Sequence, residues 1–414
     1  MLARTSAYAA LLVVTCVFVF APAYTAGITN WDDDFYLRAP VSLTAYVMGN
    51  YHPLTMASYA IFGHNPMVLH VTNVLLHGAT AVLVLILLQQ LAGSEFGAFS
   101  GALLWAIHPL RVESVVWIAE RKDVLCGLFY VAALIAYLRN RLLLTFILFV
   151  LALLSKGMAV SFPLAMLAID FLQRRKAFLE KVPFFASSIL FGVIGYIGQH
   201  IPGISPEPPK VVLSLTEKIA FSCYALLFYL VKLVLPIRLS AFYPYPKVIA
   251  AVIVRGGRKV AFAFLFFLLT IAITLPMFFV GRTFAADRFT YIPSIGFAFL
   301  IATVVQPKHW PIIAIVAALL GAGTFARSRV WHDSLTLWTS VIETDPQIAL
   351  PYNARAAALA SMGDRRAALR DLDRAIALEP CYAMALRNRI VVTQRLGDSA
   401  AAARDIEQLR RCSR

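Results

Sequence analysis

Residues 108–125 have the sequence HPLRVESVVWIAERKDVL, and this stretch decides the fold and function that the chain predicts. It lies between two long apolar runs and carries the ionisable side chains Arg111, Glu113, Glu120, Arg121, Lys122 and Asp123. Each ionised side chain at membrane depth costs about 2.5–3.5 kcal/mol. If residues 113–123 are helical, Glu113, Trp117 and Glu120 share one face. Such a concentration of charge favours a functional site, and a solvated loop with helix-end charges is the alternative.

The composition indicates a polytopic membrane protein. Of 414 residues, 60% are hydrophobic and only 14% are charged, whereas soluble domains carry about 25% charged residues. The net charge of +15 is concentrated in short loops between apolar segments, as the positive-inside rule requires. Membrane lipid is therefore the expected surrounding, and no nucleic-acid partner is expected. The five cysteines show no CxxC or Cys/His metal spacing.

Apolar segments of spanning length, or close to it, recur through residues 1–326. They fall at about 7–26, 67–91, 95–108, 123–138, 141–154, 157–172, 182–199, 217–235, 260–281, 291–306 and 309–326. The first also resembles a signal peptide, and we expect it to remain as an uncleaved span. The sequence thus predicts an all-α polytopic membrane domain of about eleven spans.

Basic residues predict the orientation of these spans. The densest basic clusters, at 139–141, 174–181 and 255–259, are expected on the cytoplasmic side together with the N-terminus. An odd number of spans then places the C-terminal tail on the other side, the periplasm of a bacterial inner membrane. The cations that fall on this disfavoured side are Arg111, Arg121, Lys122, Lys156 and Arg288. We expect them to bind an anion; structural ion pairs with Glu113, Glu120 and Asp287 are the alternative.

The first outer loop, residues 27–66, carries three successive carboxylates from Asp32 to Asp34. Like charges this close repel one another, so at least one should have a raised pKa. The group could supply a base, hold a metal or be solvated. His52 follows in a stretch expected to lie along the membrane surface. His70 and His77, within the second predicted span, are expected to be packed and hydrogen-bonded rather than to act as ligands.

The composition changes after Phe325, and residues 327–414 are water-soluble in character. A repeat of 34 residues relates Pro346 to Pro380, Gly363 to Gly397 and Asp371 to Asp405. This spacing predicts a short tetratricopeptide (TPR) α-hairpin domain, with a generic helical hairpin as the alternative. So few repeats rarely stand alone, so the unit should pack on the membrane domain.

The second repeat begins at Cys381 and ends at Cys412. An antiparallel hairpin brings these ends together. A disulfide between them is predicted in an oxidising periplasm.

Several motifs together resemble the transmembrane-and-TPR O-mannosyltransferases and their bacterial relatives. The matching elements are Asn30–Tyr36, His52–Thr55, the stretch 108–125, Tyr243–Pro246 and Ala286–Pro293. The resemblance covers essentially the full chain and departs at Ser155–Met158, where relatives usually have Ala-Lys-Pro-Met or Ala-Lys-Glu. It implies a GT-C-like transmembrane helical domain at 1–326 and a TPR-like domain at 327–414.

The resemblance also implies the chemistry. Such enzymes move a sugar, mannose or another hexose, from a polyprenyl-phosphate carrier to a hydroxyl of a protein or glycan acceptor, with inversion. The family's base is an aspartate of the first outer loop, which corresponds to Asp32, with Asp33 as its neighbour and fallback. Phosphate leaves as a stable anion, so one carboxylate base and a set of cations suffices; a glycosidase would need two carboxylates.

Each charged residue therefore has a predicted role. The donor phosphate is expected to contact Arg121, Lys122, Arg288 and Lys156. The acceptor, or the position of the base, is expected to depend on Glu113, His108, Arg111, His52, Glu120 and Asp287. No cofactor is expected, and a divalent metal at Asp32, Asp33 and Glu113 is the alternative.

Two other functions stay open, and so does the role of the tail. The TPR region could present the acceptor protein, or it could serve docking or dimerisation. A non-catalytic membrane-anchored TPR scaffold and a transporter of a lipid-linked sugar are the rival functions.

Overall fold

The structure is a computed structural model that describes residues 2–40, 42, 44, 46–201, 213–245, 257–278 and 283–412. Arg255 of the third basic cluster and Pro246 of the Tyr243–Pro246 motif lie outside these ranges. Within them the chain is helical, with isolated bridges but no β-strand. The predicted all-α class is confirmed.

The N-terminal part is a bundle of helices of very unequal length. They are α1 (Leu2–Val19), α2 (Asp33–Arg38), α3 (Pro53–Phe62), α4 (Pro66–Ala92), α5 (Glu95–Ala106), α6 (Val112–Val116), α7 (Arg121–Leu138), α8 (Leu142–Ser155), α9 (Phe162–Gln173), α10 (Val182–Gln199), α11 (Leu215–Val234), α12 (Arg258–Ile271), α13 (Ile295–Val304) and α14 (Trp310–Val330). Turns of 3-10 helix occur at Ala21–Thr25, Pro109–Arg111, Ile118–Glu120, Gly157–Ser161, Leu179–Lys181, Ala272–Thr274, Asp287–Thr290 and Pro307–His309.

Every predicted apolar segment overlaps one of these α-helices. Among the described helices, three are long and apolar enough to cross a membrane: Pro66–Ala92, Leu179–Gln199 and Pro307–Val330. Several of the others are shorter, because extended residues and 3-10 turns interrupt the apolar runs. The count of about eleven spans therefore stays a prediction.

The core of the bundle surrounds α4, against which α1, α5 and α7 pack. Most of this helix is apolar, but its buried polar residues His70, Asn73, His77 and Thr80 share one face. Glycines bring α5 very close to α13, because a Cβ at Gly97 or Gly101 would collide with the carbonyl of Ala302 or Ala298. The bundle positions the loops at its ends, where the charged residues lie.

Residues 334–412 form five further helices that pack in sequence. They are α15 (Ser334–Thr344), α16 (Ala349–Ser361), α17 (Arg365–Leu378), α18 (Ala383–Arg395) and α19 (Ser399–Cys412). The predicted disulfide is present, with the Cα atoms of Cys381 and Cys412 5.4 Å apart.

The 34-residue sequence repeat is also a repeat of structure. Arg355 Nε contacts Asp371 at 2.7 Å, and the equivalent Arg389 contacts Asp405 at 2.9 Å. The turns that follow α16 and α18 each contain a glycine with φ near +90°, Gly363 and Gly397. Only glycine adopts this backbone conformation without strain, so the repeated glycine is required by the repeated turn.

Candidate active site

Asp33 joins the first outer loop to the stretch at 117–120. Its Oδ2 accepts hydrogen bonds from the N–H and the hydroxyl of Thr29, both at 2.8 Å, and its Oδ1 accepts one from the N–H of Ala119 at 2.8 Å. Burial raises the pKa of Asp33 to about 6, although these hydrogen bonds oppose the change. Both carboxylate oxygens are occupied, so Asp33 is suited to holding the loop in place.

Asp32, immediately before α2, is in a different environment. It is half-buried, and its carboxylate accepts no hydrogen bond from any residue that the structure describes. Burial raises the pKa of Asp32, while Lys122 and Arg288 lower it and Glu120 raises it further. A half-buried carboxylate with a raised pKa and no hydrogen-bond partner among the described residues is suited to accepting a proton.

Three cations from separate parts of the chain converge on Glu120. Its oxygens lie 3.1 Å from Lys122 Nζ, 2.9 Å from Lys156 Nζ and 3.3 Å from Arg288 Nε. Burial alone would raise the pKa of Glu120, but the three cations hold it below its usual range. Lys156 also contacts Asp123 at 2.6 Å. The cations of the cluster are thus ion-paired within the protein, which is the alternative considered for Glu120, and binding of an anion to them stays a prediction.

A second carboxylate, Glu113, fixes Arg288 from the other side. The Arg288 guanidinium and backbone N–H both donate to Glu113, the latter at 3.0 Å. The indole of Trp117 lies 5.4 Å from this guanidinium and 5.6 Å from Lys122 Nζ, and the ring of Tyr36 lies 4.5 Å from Lys122 Nζ. Aromatic faces and carboxylates thus limit the orientation of these two cations.

The expectation that residues 113–123 form one continuous helix is wrong. Helix α6 ends at Val116, and Trp117 has extended backbone angles (φ −71°, ψ 119°) before the 3-10 turn begins. Glu113 and Glu120 therefore do not share a helical face. They nevertheless meet at Arg288, because the break at Trp117 redirects the chain.

Arg121 lies in different surroundings from its neighbour Lys122. Its Nε donates to the Asn73 side chain at 2.9 Å, and its Nη2 donates to the Leu69 carbonyl at 2.8 Å, both on α4. Its guanidinium faces the rings of Tyr59 and Phe62 at 5.3 Å each. It forms no ion pair with a described residue, and its predicted role at the donor phosphate stays a prediction.

Arg111 and His108 bind to groups within the protein. Arg111 donates to the Thr290 hydroxyl at 2.6 Å and lies over the Tyr291 ring. His108 donates through Nε2 to the Leu233 carbonyl at 3.1 Å and accepts at Nδ1 from the backbone N–H at position 110. These contacts hold the start of the 108–125 stretch in place and are consistent with positioning roles.

His52 and Asp287 flank the cluster. His52 lies 5.2 Å from the Tyr36 ring, and burial, together with Lys122, lowers its pKa to about 3. Asp287 accepts a hydrogen bond from the Tyr243 hydroxyl at 2.9 Å, and burial raises its pKa to about 7. No described cation is within ion-pair distance of Asp287, so the ion pair considered for it is not formed in this part of the chain.

The histidine predictions and the metal alternative have different outcomes. His77 is packed and hydrogen-bonded to the Tyr291 hydroxyl at 2.7 Å and to the Ala106 carbonyl at 2.8 Å, as predicted. His70 is also buried, but neither of its ring nitrogens has a hydrogen-bond partner among the described residues, so the prediction of hydrogen bonding is wrong for His70. Across the described ranges no three His, Cys, Asp or Glu side chains form a metal-binding group. Metal dependence stays untested.

Sequence reasoning missed two features of the site. Asp123 was counted among the charges of the stretch but had no role, and it proves to be a partner of Lys156. Asn30 and Trp31 were only part of a motif, and both contact the C-terminal helices. The tryptophans at 117, 331 and 338 could have indicated this contact. Each lies in or next to a segment that was assigned to the outer side, as Trp31 does.

No family model matches the chain. A Caenorhabditis elegans protein named protein O-mannosyl-transferase is 26% identical over 395 residues, covering 84% of this chain and 56% of that protein. Mouse protein O-mannosyl-transferase TMTC2 is 36% identical over 95 residues, covering 22% of this chain and 11% of its own. Mouse TMTC4 is 30% identical over 125 residues, covering 26% and 17%. The chain spans about half the length of the first of these proteins and less of the others. It is therefore a relative of proteins named as protein O-mannosyl-transferases.

Proposed function

We propose that this protein is a membrane glycosyltransferase that moves a sugar from a polyprenyl-phosphate carrier to a hydroxyl of a protein acceptor. One observation carries the proposal: Asp32 offers a carboxylate that accepts no hydrogen bond from the described residues and that feels the charges of Lys122 and Arg288. The donor is part lipid and part anion, so its site requires both a membrane edge and fixed cations. The names of the relatives favour mannose as the sugar and a protein as the acceptor.

Each group in the cluster has a step to perform. Asp32 accepts the proton of the acceptor hydroxyl as its oxygen bonds to the anomeric carbon. The bond from that carbon to the phosphate oxygen breaks at the same time, and the electron pair leaves on the phosphate. Lys122, Arg288 and Lys156 stabilise this departing charge. Attack from the face opposite the phosphate inverts the configuration of the sugar.

Glu120 prepares the cations before the donor arrives. It contacts all three ammonium and guanidinium groups within 3.3 Å, which prevents their mutual repulsion from separating them. Cations that are already in place need no reorganisation during the reaction, and this is the main source of electrostatic catalysis. Glu113 does the same for Arg288 alone.

The location and topology form part of the proposal. We assign about eleven spans to the bacterial inner membrane, with a cytoplasmic N-terminus and a periplasmic site. The Cys381–Cys412 disulfide supports an oxidising compartment for the C-terminal helices. These helices contact the loop before Asp32, which supports placing both on one face. The 34-residue structural repeat supports a TPR-like surface that presents the acceptor.

A transfer assay with matched variants tests the function. Purified protein in lipid nanodiscs is incubated with polyprenyl-phosphate mannose and an envelope-protein extract, and the products are identified by mass spectrometry. Asp32→Asn should reduce transfer about 10²- to 10⁴-fold. Asp34→Asn is the control, because Asp34 is 52% exposed and pairs with the exposed Arg38 at 3.7 Å; it should retain wild-type transfer.

The rival functions both predict no glycosylated product in this assay. A scaffold would show no transfer from wild type or from either variant. A transporter would also show none, but in sealed proteoliposomes it would move the polyprenyl-phosphate sugar from one leaflet to the other. Equal products from wild type and Asp32→Asn would disprove the catalytic assignment.

A further inference from the structure

The C-terminal helices bind the chain two residues before Asp32. The side-chain carbonyl of Asn30 accepts a hydrogen bond from Trp338 Nε1 at 2.7 Å, and its amide donates to the Ala354 carbonyl at 2.8 Å. The backbone N–H of Asn30 donates to the Ser334 hydroxyl at 2.9 Å. These partners lie on α15 and α16, so this domain holds Asn30 at three points.

Tryptophan rings extend this contact to the phosphate-binding cations. The ring centroid of Trp31 is 4.9 Å from that of Trp338 and 5.0 Å from that of Trp117. Trp331, at the end of α14, lies 5.4 Å from Trp117. Trp117 in turn faces the Arg288 guanidinium. Packed aromatic rings therefore connect the C-terminal helices to Trp31, next to Asp32, and through Trp117 to Arg288.

The position of Asp32 depends on its backbone, because its carboxylate has no hydrogen-bond partner in the part of the chain that the structure describes. Asp33 fixes that backbone on one side through Thr29 and Ala119. Asn30 fixes it on the other side through the C-terminal helices. A displacement of about 1 Å in a reacting group costs about 10²-fold in rate, so the loss of either attachment should reduce catalysis.

We propose that Asn30 is a positioning residue through which the C-terminal helices hold Asp32 in line with the donor-phosphate cations. This domain is then part of the active site, in addition to any role in binding the acceptor. The inference rests on the proposed function, since it concerns the same transfer reaction. Asn30 acts through the backbone and Trp31 and has no direct contact with the reacting atoms.

Two substitutions in the full-length protein test the role of Asn30. Asn30→Ala removes both side-chain hydrogen bonds and should lower kcat about 10- to 100-fold. Trp338→Phe keeps an aromatic ring but removes the Nε1–H, and should lower kcat about 2- to 10-fold, the usual effect of one hydrogen bond. With a short peptide acceptor, KM for polyprenyl-phosphate mannose should stay within about twofold, because neither residue is among the cations that bind phosphate.

The controls make the same changes elsewhere. Asn388→Ala removes a side-chain hydrogen bond to Asn353 within the C-terminal domain, and Trp310→Phe alters a ring that is 63% exposed. Both should retain the wild-type kcat.

Ser334→Ala is a milder change at the same attachment, because it removes only the partner of the Asn30 backbone N–H. It should also lower kcat, and it keeps the test available if the Asn30→Ala protein does not fold.

The pH profile separates positioning from a loss of folded enzyme. Asp32 faces Lys122, Arg288 and Glu120, and its pKa is raised mainly by burial. A released loop admits water to Asp32, so the acid limb of kcat should move to lower pH in Asn30→Ala. Fewer folded molecules would lower kcat equally at every pH.

The outcomes distinguish this inference from the proposed function. Wild-type kcat and an unmoved acid limb in folded Asn30→Ala, Trp338→Phe and Ser334→Ala proteins would overturn the positioning role alone. Retained transfer by Asp32→Asn would overturn the proposed function instead.

Discussion

Asp32 and Asp33 are adjacent in the chain, yet their surroundings suit them to different tasks. Asp33 is buried and accepts three hydrogen bonds, whereas Asp32 is half-buried and accepts none from the described residues. The motif alone named Asp33 as a fallback for the base. The geometry favours Asp32 as the proton acceptor and Asp33 as the attachment of its loop.

Substitution of Asp33 should therefore destabilise the protein. In Asp33→Asn, one oxygen becomes an NH₂ group that faces the N–H of Thr29 or Ala119, leaving a buried donor without an acceptor. The expected loss in the free energy of unfolding is about 1–3 kcal/mol, measured by thermal unfolding in detergent. Asp32→Asn breaks no such bond and should unfold like the wild type. Equal stability of the Asp33→Asn protein would contradict this assignment.

The pKa of Asp32 predicts the acid limb of the proposed transfer reaction. Burial raises this pKa above the usual aspartate value near 3.9, and only the ionised form can accept a proton. Log kcat/KM should therefore fall as pH decreases, with a midpoint above about pH 4. Lys122 lowers the pKa of Asp32, so Lys122→Met should move this midpoint to higher pH as well as weaken donor binding.

The control for this pH prediction is Lys308→Met, because Lys308 is exposed in the 3-10 turn that precedes α14. It should leave the acid limb in place. A Lys122→Met midpoint equal to that of the wild type would mean that Lys122 does not act on the catalytic base.

Among the structural elements, the interrupted segment at 112–120 does the most to build the site. The extended residue Trp117 separates α6 from the following 3-10 turn, so that Glu113 and Glu120 approach Arg288 from different directions. Arg288 belongs to the 3-10 turn Asp287–Thr290, far along the chain. The Glu113–Arg288 pair therefore joins two elements, and its strength can be measured.

A double-mutant cycle with Glu113→Gln and Arg288→Met should show coupling of about 0.5–3 kcal/mol in the free energy of unfolding. Arg288→Met alone leaves Glu113, which is 2% exposed, without its partner, and removal of one partner from a buried pair costs about 3–5 kcal/mol. The double variant should be less destabilised than the sum of the singles. If the losses in the free energy of unfolding of the two single variants simply add up in the double variant, Glu113 and Arg288 do not stabilise the protein through each other.

The exposed pair of Asp34 and Arg38 provides the matched cycle. Its side chains are 52% and 82% exposed and lie one helical turn apart. Exposed pairs of this kind are worth about 0.3–0.5 kcal/mol, so the coupling should fall in or below that range.

For the whole molecule, sequence patterns predicted the features that depend on residues close together in the chain. The length of apolar runs predicted the helices, and a 34-residue spacing predicted the repeated hairpins and the Cys381–Cys412 disulfide. The motif around Asp32 and the basic residues of the outer loops suggested which side chains would meet. The ion pairs of Glu120 with Lys156 and Arg288 depend on how distant loops pack, which the sequence pattern does not contain.

The contact of Asn30 with Trp338 lay beyond prediction for the same reason. The two residues are separated by 308 positions, and neither has a local pattern that identifies the other as its partner. Similarly, Ala119, two residues after the break at Trp117, donates its backbone N–H to Asp33 of another loop. Helical periodicity in residues 113–123 cannot report such an external contact.

This arrangement predicts unequal effects of two truncations on the proposed transfer activity. Helices α15 and α16 supply the three hydrogen bonds between the C-terminal domain and Asn30, whereas α18 and α19 pack against each other and α18 also packs against α16 and α17. A chain that ends after Pro380 should keep kcat on a short peptide within about threefold, but lose transfer to folded acceptor proteins. A chain that ends after Asp333 should lose about 10- to 100-fold in kcat on both. The full-length double variant Cys381→Ser, Cys412→Ser is the control, because it lacks the disulfide but keeps the last hairpin. It should transfer sugar to both the peptide and the folded acceptor proteins. If the chain that ends after Asp333 transferred sugar to the peptide at the wild-type rate, the N-terminal helices would complete the site without the C-terminal domain.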